Sequence, residues 1–160
     1  MSEILRRKLA HIEKCLSDSD ADRKCSGLDE IRLIHRALPE TDFDDIDTSV
    51  MFLGKKLSFP FMISSMTGGS DPEIIRINRN LATAAEKCGV AMAVGSQRIM
   101  FSDKNAEESF RLREYAPTVP LIGNLGAVQL NYGFGLKECR EAAEIMDADA
   151  LFLHLNPLQE

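Results

Sequence analysis

The stretch Val90–Arg98, VAMAVGSQR, decides the fold class of this sequence. Its first part, Val90–Val94, is apolar throughout, which is typical of a short strand in a parallel sheet that helices cover. A polar segment that contains a glycine, Gly95–Arg98, follows the strand at once. The same order of apolar strand and polar segment recurs along the chain, so this stretch is one of several similar units.

Predicted strands and helices alternate with a regular spacing. Strand starts fall near residues 57, 90, 120 and 150, at intervals of about 30 residues, which is the length of a strand and its crossover helix. This alternation predicts an α/β fold with a parallel sheet. The predicted strands are Leu57–Ile63, Val90–Val94, a strand opening at Pro120–Ile122, and Ala150–Leu153; the predicted helices between them are Ser70–Cys88, Ala106–Tyr115 and Leu136–Met146.

Individual residues mark some of the boundaries. Ser70 and Glu73 have capping-box spacing at the start of the first of these helices, and Gly89 follows its last residue. Pro60 lies inside the first predicted strand, which favours an irregular or edge position because proline cannot donate to a sheet.

The first 50 residues differ from the repeated units. Met1–Lys14 has helical spacing of its apolar residues and carries a basic cluster, Arg6-Arg7-Lys8, with His11 on the same face as Arg7 and Lys8. The cluster is either a solvated helix end or an arm that closes over an anionic substrate. We therefore divide the chain into an N-terminal arm and helical segment, residues 1–50, and a region of strand–helix units, residues 51–160.

Composition is that of an ordinary globular protein. Of the 160 residues, 44% are hydrophobic and 28% are charged. No apolar run approaches the length of about 20 residues that spans a bilayer. The net charge of −6 argues against a nucleic-acid partner. Met1–Ala10 lacks the apolar core of a secretory signal and the four cysteines form no C-x-x-C pair, so a cytoplasmic location with reduced thiols is expected.

Each predicted strand is followed by polar residues that suit ligand binding. Because the carboxyl ends of parallel strands meet at one edge of a sheet, we expect these segments to form one site. Taken singly, Gly68-Gly69 could be a tight turn, Arg98 a surface residue, Asn124 a turn residue and His154 a core histidine. The segments are Ser64–Gly69, Gly95–Arg98, Gly123–Gly126 and His154–Glu160.

The chemistry of these segments favours an anionic ligand. Thr67-Gly68-Gly69 offers unencumbered backbone N–H groups before a helix, which can cradle a phosphate. Arg98 can hold a phosphate through two parallel hydrogen bonds. Glu160 can ligate a hard cation such as Mg²⁺ together with phosphate oxygens, although it could equally be a frayed end.

Taken together, the motifs resemble the FMN-dependent type 2 isopentenyl-diphosphate isomerases. The resemblance implies a (β/α)8 TIM barrel, of which this chain would supply the first four strand–helix units, and interconversion of isopentenyl and dimethylallyl diphosphate in isoprenoid biosynthesis. It also implies FMN, Mg²⁺ and NADPH as cofactors and a homo-oligomer in the full-length form. The motifs are Arg7-Lys8-x-x-His11-Ile12, Met66-Thr67-Gly68-Gly69, Gly95-Ser96-Gln97-Arg98, Asn124-Leu125-Gly126 and His154-Leu155-Asn156-Pro157-x-Gln159-Glu160.

The resemblance further implies roles for individual residues. The diphosphate would be bound by Arg7, Lys8 and Arg98, helped by Ser96, Gln97, His154 and Asn156. FMN would contact Ser64, Ser65, Met66, Thr67, Ser96 and Asn124. Gln159 would lie beside the isoprenoid carbons, and Glu160 would hold Mg²⁺ on the diphosphate. The candidate catalytic residues are Gln159, His154 and His11.

The reaction implied by the resemblance needs an acid and a base. Moving a proton across a three-carbon unit by protonating an unactivated alkene develops a tertiary cation, and no side chain of the motifs is an obvious acid for that step. We therefore hypothesise that a reduced flavin acts through its N5, while the protein positions the substrate over the ring.

A barrel of this class needs about 250 residues, and two alternative functions stay open. We expect this chain to belong to a longer protein or to need a complementary chain, and to be inactive alone. The first alternative is another FMN-dependent barrel oxidoreductase, such as a hydroxy-acid oxidase-like or dihydroorotate dehydrogenase-like enzyme. The second is a half-barrel that binds phosphate or flavin weakly and catalyses nothing.

Overall fold

A helix and a β-hairpin precede the central sheet. The computed structural model describes residues 3–18 and 27–156. Helix α1 spans Glu3–Ser17, and strands β1, Val50–Phe52, and β2, Lys55–Leu57, form an antiparallel pair. The turn between these strands consists of Leu53 and Gly54, whose φ angles are 49° and 75°. Positive φ at both positions gives the backbone twist that a two-residue hairpin requires. The sequence patterns did not predict this hairpin.

Parallel strands form the central sheet. Strands β3, Met62–Ile63, β4, Ala91–Ala93, β5, Leu121–Gly126, and β6, Ala150–His154, lie side by side in that order. The longest pairing joins β5 to β6, from Ile122 opposite Ala150 to Gly126 opposite His154. Every neighbouring pair in this sheet is parallel, which confirms the predicted α/β class with a parallel sheet.

Helix α2 spans Pro72–Cys88 and ends as predicted, because Gly89 has a φ of 65° that closes the helix. Its N-cap is Asp71, whose Oδ1 accepts a hydrogen bond of 2.8 Å from the backbone N–H of Glu73. The predicted cap at Ser70 is therefore wrong by one residue. Pro72 occupies the first helical turn, where its missing N–H costs nothing.

Helices α3, Arg98–Ser102, and α4, Leu136–Met146, follow β4 and β5. The bounds of α4 are those predicted from the sequence. In residues 3–18 and 27–156, no helix combines the length and the apolar character that crossing a bilayer requires.

The first predicted strand, Leu57–Ile63, is divided between two sheets. Leu57 ends β2, whereas Met62 and Ile63 alone form β3. Between them, the backbone N–H of Ser58 donates to Gly89 O at 2.8 Å, so this part of the chain is bonded to the end of α2. Pro60 has no N–H to give a neighbouring strand, which explains the interruption.

The predicted helix over Ala106–Tyr115 is wrong. A 3₁₀ helix spans Lys104–Phe110 instead, and turns follow it. The Ser109 hydroxyl donates to Ala106 O at 2.9 Å, and the carbonyl of Ser109 accepts from the side chain of Asn78 at 2.9 Å. These bonds occupy carbonyls that an α-helix would use for its own N–H groups.

The core lies between the sheet and the elements that follow its strands. Met92 of β4 and Leu121 and Leu125 of β5 are buried together with Phe110 and Met146. Strand β5 is buried along its whole length, as expected of a central strand of a parallel sheet.

Ion pairs and hydrogen bonds of Asp149, which directly precedes β6, join the residues at the amino-terminal ends of the strands. The Asp149 carboxylate lies 2.7 Å from Lys55 Nζ and 2.8 Å from Arg113 Nη2. It also accepts from the backbone N–H of Leu121 at 2.9 Å. The same Arg113 guanidinium donates to the carbonyls of Ala116, Val119 and Asp147.

The Asp149 network predicts an acid-dependent stability. Burial alone would raise the pKa of the Asp149 carboxyl, but hydrogen bonds from Lys55, Leu121 and Arg113 outweigh burial and hold that pKa below its ordinary value. A carboxyl whose pKa is lower in the folded state stabilises the fold above its unfolded pKa of about 3.9, and this stabilisation is lost as the pH falls through the folded pKa. We expect Asp149→Asn to lower the free energy of unfolding at pH 7 by about 2 kcal/mol.

Urea denaturation at pH 7 and below pH 4 checks this expectation, since the deficit of Asp149→Asn should shrink in acid. Asp147→Asn is the matched control, because the Asp147 side chain is 82% exposed and lies 3.6 Å from Arg113. The control should change stability by less than about 0.5 kcal/mol. An equal deficit for Asp149→Asn at both pH values would contradict the role of its charge.

Candidate functional site

The polar segments that follow the parallel strands meet along one edge of the sheet. The backbone N–H of Gly95, after β4, donates to Thr67 O, after β3, at 2.9 Å. The backbone N–H of Gln97 donates to Asn124 O, on β5, at 2.8 Å. A side-chain contact joins β5 to β6. We call the described residues of these segments the rim, which consists of Ser64–Gly69, Gly95–Arg98, Gly123–Gly126 and His154–Asn156.

Gly95 allows the segments after β3 and β4 to touch. A Cβ at this position would lie 2.7 Å from Thr67 N and 2.8 Å from Met66 O. Both are backbone atoms, which a side chain cannot push aside. Only glycine therefore permits this approach, and the approach places Thr67 beside the end of β4.

The side chain of Gln97 is fully buried and is bonded at both ends. Its Nε2 donates to Ala142 O of α4 at 2.8 Å, and its Oε1 accepts from the backbone N–H of Asn124 at 3.0 Å. A Cβ at Gly123 would lie 2.6 Å from Oε1, so the glycine makes room for this amide. Gln97 thus ties the segment after β4 to both β5 and α4, a role that the sequence patterns did not predict.

Three side chains form a hydrogen-bonded chain across the rim. Asn124 is 4% exposed, and its Nδ2 donates to Ser65 Oγ at 2.9 Å. Its Oδ1 lies 2.6 Å from His154 Nδ1. Residues of three different strand ends are therefore linked through one amide.

The glycine pair after β3 differs from its prediction. The backbone N–H of Gly69 donates to the Ser109 hydroxyl at 3.0 Å, so it is not unencumbered. A Cβ at Gly68 would lie 2.3 Å from the Phe110 ring, which identifies Gly68 as a packing position. Both glycines hold the rim against the 3₁₀ segment.

One buried polar atom of the rim has no partner. Thr67 is 5% exposed, and its Oγ1 forms no hydrogen bond within residues 3–18 and 27–156. Its carbonyl, in contrast, accepts from Gly95 N and from Asn78 Nδ2 at 3.3 Å. The backbone of Thr67 is fixed while its hydroxyl remains without a protein partner in this part of the chain.

Asn78 is a supporting residue that the sequence patterns missed. It lies on α2, is 1% exposed and donates to the carbonyls of both Thr67 and Ser109. A signal was present, because Asn78 falls on the helix face that Ile74, Ala82 and Ala85 share. A polar residue in such an apolar row is expected to bond a buried partner.

The remaining predicted site residues have different positions. Ser96 and Arg98 are half-buried neighbours, and Arg98 begins α3. Ser64, Met66 and Asn156 are exposed on the rim. His11 is exposed on α1, which also contains Arg7 and Lys8. Gln159 and Glu160 lie outside the described residues.

The rim carries an unusual charge balance for this chain. It contains no Asp or Glu, although the net charge of the chain is −6. Within residues 3–18 and 27–156, no group of three or more His, Cys, Asp and Glu side chains is arranged to hold a metal ion. The rim is therefore suited to an anionic or a neutral polar ligand.

The two bonds of Gln97 predict a large stability loss without a change in size. Gln97→Met keeps the length of the side chain but removes both hydrogen bonds and leaves the buried N–H of Asn124 without its acceptor, so we expect the free energy of unfolding to fall by about 3 kcal/mol. Guanidinium denaturation measures this fall in the free energy of unfolding. Met92→Leu, another buried substitution beside the rim, should cost less than about 1.5 kcal/mol. Similar losses for both variants would contradict the bonding role of Gln97.

Known proteins resemble this chain over nearly its whole length. It is 64% identical over 154 residues to an isopentenyl-diphosphate delta-isomerase of Paracoccus zeaxanthinifaciens, which covers 96% of this chain and 44% of the relative. It is 57% identical over 159 residues to the isomerase of Hydrogenovibrio crunogenus, covering 99% and 46%. It is 51% identical over 158 residues to that of Oceanobacillus iheyensis, covering 98% and 45%.

The chain thus spans about half the length of the curated relatives it matches. The family model described as FMN-dependent dehydrogenase matches residues 3–112, which include the rim segments after β3 and β4. The chain belongs to the FMN-dependent dehydrogenase family.

Proposed function

We propose that this chain forms the first four strand–helix units of a (β/α)8 barrel that interconverts isopentenyl and dimethylallyl diphosphate in isoprenoid biosynthesis. The observation that carries the proposal is the rim, in which polar segments after successive parallel strands are hydrogen-bonded to one another. Ligands of parallel α/β sheets bind at this end of the strands. The isomerase name of the relatives supports the choice of reaction.

The rim residues fit FMN on two observations. The buried hydroxyl of Thr67 lacks a partner in the described residues, and a polar group of the flavin would satisfy it. Gly95 permits the close backbone approach that brings Thr67 to the end of β4, so this hydroxyl lies at the edge where the strand ends meet. When bound in its reduced form, FMN would supply a proton donor and acceptor at N5. We propose that it is held by Ser64, Ser65, Met66, Thr67, Ser96 and Asn124.

The diphosphate would bind where the rim carries positive charge. Arg98 can bind it bidentately, and none of the described rim residues is an Asp or Glu that would repel it. Both ends of the Gln97 amide are already bonded to the backbone, so we propose that Gln97 acts on the substrate through the conformation of this segment. The further diphosphate ligands are proposed to be Arg7, Lys8, Ser96, His154 and Asn156.

The remaining parts of the proposal rest on the resemblance. Glu160 would hold Mg²⁺ on the diphosphate, and Gln159 would lie beside the isoprenoid carbons with His11 and His154 as further candidate catalytic residues. NADPH as the source of reducing equivalents, a homo-oligomer, a cytoplasmic location and the boundary at residue 50 stay predictions.

A second candidate is an FMN-dependent oxidoreductase that removes hydride from an organic acid. The description of the matched family favours it, because a dehydrogenase uses the same flavin at the same strand ends. A dehydrogenase substrate carries a carboxylate, whereas the isomerase substrate carries a diphosphate with more negative charge. Binding and flavin reduction therefore separate the two candidates.

Because the Thr67 hydroxyl has no partner in the described residues, we expect Thr67→Val to raise the stability of the chain and to lower its affinity for FMN. Thr67→Val removes a buried hydroxyl without a described partner, so we expect the free energy of unfolding to rise by about 1 kcal/mol. The same change should weaken FMN binding about tenfold, because the flavin loses a hydrogen bond. Titration followed by flavin fluorescence measures the affinity.

Thr83→Val is the matched control, since the Thr83 hydroxyl donates to Arg79 O on α2 and lies in no rim segment. It should leave FMN affinity unchanged. Equal FMN affinity of the unmodified chain and of Thr67→Val would contradict the flavin assignment.

The charge of Arg98 predicts a selective loss of diphosphate binding. With FMN bound, we expect isopentenyl diphosphate to perturb the flavin spectrum, and Arg98→Ala to weaken this binding about tenfold because a charged hydrogen bond is lost. Arg140→Ala, which removes an exposed arginine of α4, should have no effect. Anaerobic mixing with dihydroorotate or a 2-hydroxy acid should leave the oxidised flavin unbleached. Bleaching without diphosphate binding would favour the oxidoreductase.

A further inference from the structure

We infer that Asn124 is a positioning residue that fixes the tautomer of His154, so that Nδ1 carries the ring proton and Nε2 serves any further hydrogen-bond partner of the ring, a bound ligand included. The inference about the tautomer concerns the chain itself. Only the identity of the ligand, an organic diphosphate, rests on the proposed function.

The hydrogen bonds of the Asn124 amide determine which of its atoms faces the histidine. Its Nδ2 donates to Ser65 Oγ at 2.9 Å, which leaves Oδ1 toward His154. An amide oxygen can only accept a hydrogen bond. His154 Nδ1, at 2.6 Å from Oδ1, must therefore be the donor and carry the proton.

The short distance argues against the opposite arrangement of the amide. If the amide were turned over, Ser65 would donate to Oδ1, and Nδ2 would donate to His154 Nδ1. The contact would then join two nitrogen atoms at 2.6 Å, well below the usual length of a hydrogen bond donated by N–H. A donor N–H on the histidine and an acceptor oxygen on Asn124 come closer to ordinary geometry, since N–H···O bonds begin at about 2.7 Å.

Hydrogen bonds to Gln97 also fix the backbone of Asn124, so Asn124 does not move to suit the orientation of His154. Its backbone N–H donates to Gln97 Oε1, and its carbonyl accepts from the backbone N–H of Gln97. Strand pairing places Asn124 opposite Phe152 and Gly126 opposite His154. The amide is 4% exposed, so water does not compete freely for its oxygen. The position of Oδ1 is thus set by β5, and the imidazole of β6 adapts to it.

The chemical consequence lies at the other ring nitrogen. A histidine with its proton on Nδ1 presents Nε2 as an acceptor when neutral and as a donor when protonated. A donor at Nε2 suits a phosphate oxygen. In water, a neutral histidine prefers the opposite tautomer, so the contact with Asn124 changes the chemistry that His154 offers.

Long-range ¹H–¹⁵N NMR of the full chain, labelled with ¹⁵N and kept above the pKa of histidine, tests the inference without any ligand. The chain has three histidines, and His11 and His35 are exposed. These two should show the tautomer distribution of free histidine and serve as internal references. His154 should show the Nδ1–H form in an excess of about tenfold.

Conservative variants separate positioning from a general structural effect. Asn124→Asp keeps an acceptor oxygen and should preserve the Nδ1–H form of His154. Asn124→Ala should return His154 toward the distribution of His11 and His35. Ser65→Ala, which frees the amide to turn over, should lower the Nδ1–H excess by several-fold without unfolding the chain. A dominant Nε2–H form of His154 in the unmodified chain, or an unchanged tautomer in both Asn124→Ala and Ser65→Ala, would overturn the inference.

Inorganic pyrophosphate added afterwards tests the proposed function separately. A selective shift of His154 Nε2 supports diphosphate binding at the rim. An Nδ1–H tautomer that pyrophosphate leaves unmoved would count against the proposed function while the positioning role of Asn124 stands.

Discussion

The candidate site depends on one buried amide, the side chain of Gln97. The amide bonds the backbone of β5 at Asn124 and the last part of α4 at Ala142, so it joins a strand end to the helix that covers the next strand. An apolar side chain could fill the space but could not satisfy both backbone groups. Because Asn124 is fixed in this way, its own side chain can hold Ser65 and His154 in turn. The positions of Ser65 and His154 at the rim therefore depend on Asn124, and the position of Asn124 depends on the buried Gln97.

The two ends of the parallel strands are stabilised by different kinds of interaction. At the amino-terminal ends, Asp149 is bonded to Lys55 and Arg113, and charges of both signs neutralise one another. At the rim, the framework consists of hydroxyls, amides and backbone groups, and none of the described rim residues is acidic. A neutral framework holds the rim together without adding negative charge beside Arg98. In a chain whose net charge is −6, this separation keeps one surface available for an anion.

The sequence predicted those elements whose local spacing, caps or apolar runs agree with the structure. Helices α2 and α4 and the strands after residue 90 follow from local spacing, caps and apolar runs. It failed where a tertiary partner decides the conformation. The apolar spacing over Ala106–Tyr115 is helical, but Ser109 is bonded to Gly69 and Asn78, and these partners belong to other segments. The hairpin at Leu53-Gly54 was missed because leucine rarely adopts the positive φ that this turn requires.

The position of the candidate site was predictable from the sequence. Which of its polar side chains bond to the protein itself, and which remain for a ligand, was not. Parallel topology alone brings strand-end residues to one edge, so Thr67, Gln97 and Asn124 could be grouped from sequence. Whether a polar side chain bonds to the protein backbone or to a ligand depends on interatomic distances, which the sequence does not contain. Gln97 uses both ends of its amide on the backbone, while the equally buried hydroxyl of Thr67 uses none in the described chain. Buried polar atoms are normally satisfied, so the unsatisfied hydroxyl of Thr67 supports the proposal that a ligand binds on its side of the rim. One local signal did exist for Gln97: a glycine at position 123, inside a fully buried strand, indicates that another group occupies the space of its missing side chain.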